Sequence, residues 1–98
     1  MQRNNTFLVN VVQANGERLV FDDVVAVRIV SEFYNLLVMK DYMPIIGEVT
    51  GSVTVIGRSS NYEMEKGIAY FINHNNNFTL IMKGNTGKNV ASLMGNVA

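Results

Sequence analysis

Residues Ser31–Gly47 read SEFYNLLVMKDYMPIIG, an apolar and aromatic stretch that holds the only proline of the 98-residue chain. Whether it forms a helix, a buried strand pair or an exposed edge decides the fold. Pro44 has no backbone N–H, and its ring confines Met43 to extended geometry. A helix through Tyr42–Ile46 is therefore disfavoured. Leu36–Met39 reads as a short strand, and Ile45–Val49 as an edge strand leading to a turn near Gly51.

The flanking sequence follows the same pattern. On the N-terminal side, Thr6–Val12 sets Phe7, Val9 and Val11 on one face. Ala14–Asn15–Gly16–Glu17 is a hairpin signal, because Asn-Gly tolerates the positive φ of a tight turn. Arg18–Phe21 resumes as a strand and bends at Asp22–Asp23. Val24–Ile29 then alternates with a period of two, Val25, Val27 and Ile29 against Val24, Ala26 and Arg28. On the C-terminal side, Ser52–Ile56 is a strand ending at Gly57–Asn61. Tyr62–Lys66 and Ile68–Ile72 read as paired or bent strands around Gly67. Asn73–Asn77 is a polar hairpin loop, and Phe78–Met82 is the returning strand.

Many short strands separated by turns predict a small sandwich or closed barrel. The expected fold is all-β, a small two-layer β-sandwich of about eight to ten short strands. One domain is expected over residues 1–84. In the tail, 85–98, Val90, Leu93, Met94 and Val97 share a helical face, although Gly87 and Gly95 weaken it by about 1 kcal/mol each. A frayed tail and a short docked C-terminal helix both stay open.

Composition narrows the function. Eight basic residues balance eight acidic ones and no run of like charge occurs, which argues against a phosphate-tracking or anionic-membrane surface. The absence of cysteine removes disulfides, thiolate metal sites and a cysteine nucleophile. No stretch of about eighteen apolar residues is present to span a membrane, and MQRNNTFLVNVV is too short and too polar for a signal peptide.

Motifs for bond-making chemistry are missing. His74, the only histidine, sits among asparagines at an expected hairpin tip, with no converging metal ligands at recognisable spacing. Asp22 and Asp23 are strand neighbours that point to opposite faces, and they serve a bend more naturally than a paired acid and base. Glu63 and Glu65 share a face by parity and read as a solvated surface. Ser59, Ser60 and Ser92 lie in no G-x-S-x-G elbow, and the glycines fit neither a dinucleotide fingerprint nor a P-loop. No enzyme activity and no cofactor is expected. The aromatics Phe33, Tyr34, Tyr42, Tyr70 and Phe71 lack the basic interleaving that single-stranded nucleic acid requires.

The order of elements from Thr6 to Lys83 resembles the amino-terminal β-sandwich of the epsilon subunit of the proton-translocating ATP synthase, equivalent to the mitochondrial delta subunit. FLVNVVQANGERLVFDDVVAVRIVS is similar to that family's first hairpin and its long central strand. Pro44, Ile45–Ile46, Gly51 before SVTVI, Gly67 and the closing NFTLI also look like family positions. Tyr42 stands where the family usually has a histidine, and one glycine of its Gly-Gly-Phe segment is missing. The family's second, two-helix domain finds nothing of comparable length after Lys83.

The resemblance implies a non-catalytic central-stalk subunit that couples the gamma shaft of a rotary ATPase to the membrane rotor ring of c subunits. Such a protein is peripheral on the cytoplasmic side of the membrane, with no nucleic-acid partner and no direct membrane insertion. Its partner-binding edge is expected at Tyr34, Leu36, Met39, Tyr42, Met43 and Ile45, where apolar and flexible side chains offer contact area. The alternatives are a generic β-sandwich adaptor without rotary partners, and a small carbohydrate- or nucleic-acid-binding barrel.

Overall fold

A computed structural model of the chain describes residues 5–83. Six strands run through them: β1 (Phe7–Val12), β2 (Arg18–Ser31), β3 (Asn35–Val38), β4 (Ile45–Gly57), β5 (Asn61–His74) and β6 (Asn77–Lys83). No helix occurs among the described residues. The expected tail helix lies outside them.

The strands form one sheet in the order β1-β6-β5-β4-β2-β3, and β1 also pairs with β2. That extra pairing closes a five-stranded ring. β4 occupies one edge of β2 along Val24–Ser31. β1 and β3 therefore share the opposite edge, β1 along Arg18–Val24 and β3 along Val27–Val30. Four pairings around the ring are antiparallel and the β1–β6 seam is parallel, from Leu8↔Asn77 to Val12↔Ile81. Alternating directions cannot close on an odd number of strands, so one parallel seam is a geometric necessity.

This architecture corrects the expected two-layer sandwich of eight to ten short strands. The molecule is a closed barrel whose strands are fewer and longer. Asp22–Asp23, Gly51 and Gly67 each look like breaks in sequence, yet all lie within continuous strands. Cross-strand pairing on both sides overrides the local turn preference of these residues. The correction extends to the ATP synthase epsilon resemblance, which implied an open two-layer sandwich that this closed ring does not contain.

The bends are made by bulges and by one close backbone approach. Between Val24 and Ala26 the β2–β4 register shifts. Val24, Val27 and Ile29 are consequently buried, while Val25 is only half-buried. The strict period of two expected across Val24–Ile29 fails at that inserted residue. A second shift lies between Gly51 and Val53, which face Gly67 and Met64 of β5. The extra residue is on β5, and inward parity there switches from Tyr62 and Met64 to Ala69 and Phe71. At Gly51 a Cβ would overlap the Val30 carbonyl oxygen and lie 3.1 Å from the Ser31 Cα. Only glycine lets β2 and β4 meet this closely.

The interior is filled from every strand of the ring. Phe7, Val9 and Val11 of β1 face Phe78, Leu80 and Met82 of β6, and Phe71 stacks on Phe78 with ring centroids 5.6 Å apart. Two hairpins complete the frame. The β1–β2 loop is Ala14–Asn15–Gly16, closed by Gln13 N–H to Glu17 O at 2.8 Å and Gly16 N–H to Gln13 O at 2.8 Å. Gly16 alone takes the left-handed position, at φ 95°, as three-residue hairpins require. The β5–β6 turn is Asn75–Asn76, with φ 51° and 61°. A two-residue turn with both central residues left-handed matches the twist of its strands, and asparagine tolerates that geometry.

Candidate docking surface

The stretch Ser31–Gly47 contains the β2–β3 turn, β3, the loop 39–44 and the start of β4. It lies where β3 has only β2 beside it, and where the first half of β4 has a ladder only to β5. Three contacts substitute for a ladder on the free side of β4. Glu32 N–H donates to Thr50 O at 3.0 Å, Thr50 N–H donates to Ser31 Oγ at 3.1 Å, and the Tyr34 hydroxyl donates to Glu48 O. Burial raises the Tyr34 phenol pKa above its ordinary value. The Ser31 side chain opposes that rise and the nearby Glu48 carboxylate adds to it.

The loop 39–44 is pinned from the opposite hairpin. Asn73, at 2% exposure the one buried polar side chain among the described residues, donates from Nδ2 to Met43 O at 3.2 Å and Tyr42 O at 3.4 Å. Asn76 and Asp41 make a reciprocal pair, Asp41 N–H to Asn76 Oδ1 at 2.6 Å and Asn76 Nδ2 to Asp41 Oδ1 at 3.1 Å. Asp41 holds φ 67°, so this pair fixes a residue in a sparsely populated conformation.

The six residues expected to meet a partner separate into an inward and an outward set. Tyr34, Leu36, Tyr42 and Ile45 turn inward, half-buried against the core, and plug the end of the barrel. Met39 and Met43 stay outside, 51% and 63% exposed. Their immediate neighbours complete the exposed set: Phe33 at 87%, Leu37 at 48% and Ile46 at 76%. Leu37 and Ile46 escape the sequence reading because both members of Leu36–Leu37 and Ile45–Ile46 are apolar, so parity alone leaves the frame open. The signal that resolves it is Val38 and Val49. Both are fully buried, which forces Leu37 and Ile46 outward.

Ile46 pairs across the ladder with Ile72, itself 42% exposed. Pro44, Ile46, Ile72 and His74 border a shallow groove of about 290 Å³. Phe33, Leu37, Met39, Met43, Ile46 and Ile72 are the exposed large apolar side chains of this segment and its β5 neighbour, here called the rim; Lys40 and Asp41, 3.8 Å apart, make the only ion pair among the described residues. A larger open cleft of about 510 Å³ lies over the Gly51–Gly67 bend, bordered by Val30, Thr50, Lys66 and Ile68. Ser31, Glu32, Thr50 and Lys66 supply its polar lining beside Val30, Ile68 and the two glycines.

The residues considered for chemistry stay apart. No group of three or more His, Asp or Glu among the described residues could hold a metal ion. His74 ends β5 in the open, and Asp22 and Asp23 lie on opposite faces of β2. The Tyr62 phenol is raised by burial alone, with only the Met82 sulfur as acceptor, 3.7 Å away. No helix among the described residues is long and apolar enough to cross a membrane. No protein-family model and no curated protein matches this sequence, so the epsilon-subunit resemblance is left without support from sequence relatives as well as from the fold.

Proposed function

We propose that this chain is a non-catalytic docking module that holds a protein partner on the apolar rim around Met43 and Ile46. The observation that carries the reading is the combination of exposure and rigidity there. Five large apolar side chains between Phe33 and Ile46 face solvent, on a segment clamped by Asn73 and by the Asn76–Asp41 pair. Apolar groups presented on a pre-ordered backbone lose little freedom on association, and methionine adapts to an irregular partner surface.

One partner set to be tested on this rim is a gamma shaft with a membrane rotor ring of c subunits, although the closed barrel removes the fold resemblance that suggested it. It is a proposal about partners, and partner recovery tests it. Tyr42 packs against the core, so the informative variant is Met43→Ser with Ile46→Ser, which strips exposed groups only. Full burial of such side chains is worth about 1.5–3 kcal/mol each. Capture of the partner from the native source is expected to drop by roughly tenfold or more, while Val20→Ser, on exposed β2 surface, leaves it unchanged. Equal recovery of the same proteins by all three chains refutes the docking role of the rim. Loss of a partner other than shaft or ring subunits keeps the docking role and refutes the rotary form.

A further inference from the structure

The four methionines among the described residues fall into two kinds. Met64 and Met82 belong to the core at 1% and 4% exposure, and the Met82 sulfur accepts the Tyr62 hydroxyl. Met39 and Met43, on the loop 39–44, are 51% and 63% exposed. Their backbone is held. The Met39 carbonyl accepts Tyr42 N–H at 3.1 Å, and the Met43 carbonyl accepts from Asn73 Nδ2 at 3.2 Å. Tyr42, between them, packs against the core. Both thioethers therefore meet solvent in the folded protein, with no opening of the barrel needed.

We propose that Met39 and Met43 are a modification site, where oxidation by a peroxide to methionine sulfoxide switches off docking on the rim. The inference rests on the docking reading of that rim. With hydrogen peroxide, a sulfur lone pair takes one oxygen, the O–O bond breaks, and the other oxygen leaves as water with both hydrogens. Sulfur is oxidised by two electrons and the peroxide is reduced by two. The other rim side chains, Phe33, Leu37, Ile46 and Ile72, are hydrocarbon, so the thioethers are the oxidisable groups there. Susceptibility follows exposure, which spares Met64 and Met82 and leaves the core packed. Each sulfoxide puts a polar, chiral group on a surface that a partner has to bury, and its oxygen loses water on docking without a prepared donor. Reductases specific for the two sulfoxide epimers return the thioether, with two electrons from a dithiol and the oxygen leaving as water.

The test treats the full-length protein with hydrogen peroxide, removes the oxidant with catalase, and follows each methionine by peptide mass spectrometry. Met39 and Met43 should convert roughly tenfold or more faster than Met64 and Met82; equal rates at all four overturn the proposal. Capture from the native source then reads the consequence. Proteins held by the parent and lost by Met43→Ser with Ile46→Ser should fall roughly tenfold or more on the oxidised parent, and return after treatment with both reductases. For Met39→Leu with Met43→Leu, capture is expected to be the same before and after peroxide. A fall equal to the parent's places the sensitivity at other residues and overturns the proposal. The two readings fail separately. Parent-like capture by the serine variant removes the docking role itself, whereas loss by the serine variant with undiminished capture by the oxidised parent removes only the switch.

Discussion

Replacing Asn73 by alanine tests whether the docking rim is held by the hairpin across from it. Asn73 is 2% exposed, and its Nδ2 donates to the Met43 carbonyl at 3.2 Å and the Tyr42 carbonyl at 3.4 Å. A neutral hydrogen bond contributes about 0.5–1.5 kcal/mol net. The longer of the two belongs at the low end of that range, and Met43 is exposed enough for water to reach its carbonyl after the change. Loss of both bonds and of the packed amide should therefore destabilise the barrel by about 2 kcal/mol. For a domain of this size that lowers the melting temperature by about 8–16 °C. Urea denaturation measures the first quantity and calorimetry the second.

The effect should also be local. Amide exchange at Tyr42 and Ile45 is expected to accelerate more than exchange in β1 or β6, because the clamp acts on the loop and not on the seam. Asn73→Asp sharpens the argument. It keeps the shape but at neutral pH aims a carboxylate at two carbonyl oxygens, so it should be worse than alanine. Burial beside two acceptors raises the pKa of the new carboxyl in the folded state. The neutral acid can donate one bond, so the variant is relatively more stable at low pH and loses that advantage as pH rises through the raised folded pKa. An alanine variant within about 0.5 kcal/mol of the parent, the ordinary range for a surface change, refutes the clamp.

Two further substitutions probe the frame. Gly51→Ala should lose about 3 kcal/mol or more, since the new methyl meets the Val30–Ser31 backbone and not a movable side chain. Gly16→Ala has open space around it and should lose only the left-handed strain of about 1–2 kcal/mol; denaturation midpoints in the reverse order contradict the bend. Tyr62→Phe should lie within about 1 kcal/mol of the parent at pH 7, because the hydroxyl gives up only a thioether acceptor. Burial raises the phenol pKa in the folded state, so its contribution is fully present below the unfolded value of about 10 and is lost as pH rises through the folded value. The parent should weaken more than the variant in denaturation above about pH 10, and parallel curves there exclude Tyr62 as a source of alkaline instability.

The elements read best from sequence are those whose local chemistry and tertiary role agree. β1, the Gly16 loop and the returning strand β6 lie where expected, whereas the loop expected over Asn73–Asn77 shrinks to the left-handed pair Asn75–Asn76, with Asn73 and His74 ending β5 and Asn77 opening β6. The misreadings fall at Asp22–Asp23, Gly51 and Gly67. In isolation these residues signal turns. Within the barrel they bend strands of 13 or 14 residues that stay paired, and no window of neighbouring residues contains the partner that keeps them paired. Cutting the three long strands in two raises the count from six to nine, and that many short strands suggests two layers. The site shows the same limit on a smaller scale. Ser31–Gly47 is marked by its composition, but the inward or outward sense of Leu36–Leu37 and Ile45–Ile46 depends on the burial of Val38 and Val49.

Closure of the ring also explains why the rim sits where it does. β3 pairs along the same edge of β2 as β1, beyond the end of β1, so its outer edge has no ring strand to meet. The first half of β4 has β5 on one side and only the turn around Glu32 and Tyr34 on the other. Exposed strand edges invite unwanted pairing unless something blocks them. Here Tyr34, Leu36, Tyr42 and Ile45 fill the end from within, and the loop 39–44 carries Met39 and Met43 across it. The ladder is weakest at this end, so side chains do the closing and the residues left outside them are apolar. A partner seated on the rim would shield β3 and β4 at the same time as it buried Met43 and Ile46. Partner binding should therefore protect backbone amides of β3 and of Ile45–Glu48 from exchange more than those of the β1–β6 seam. Uniform protection across the barrel would place the contact elsewhere.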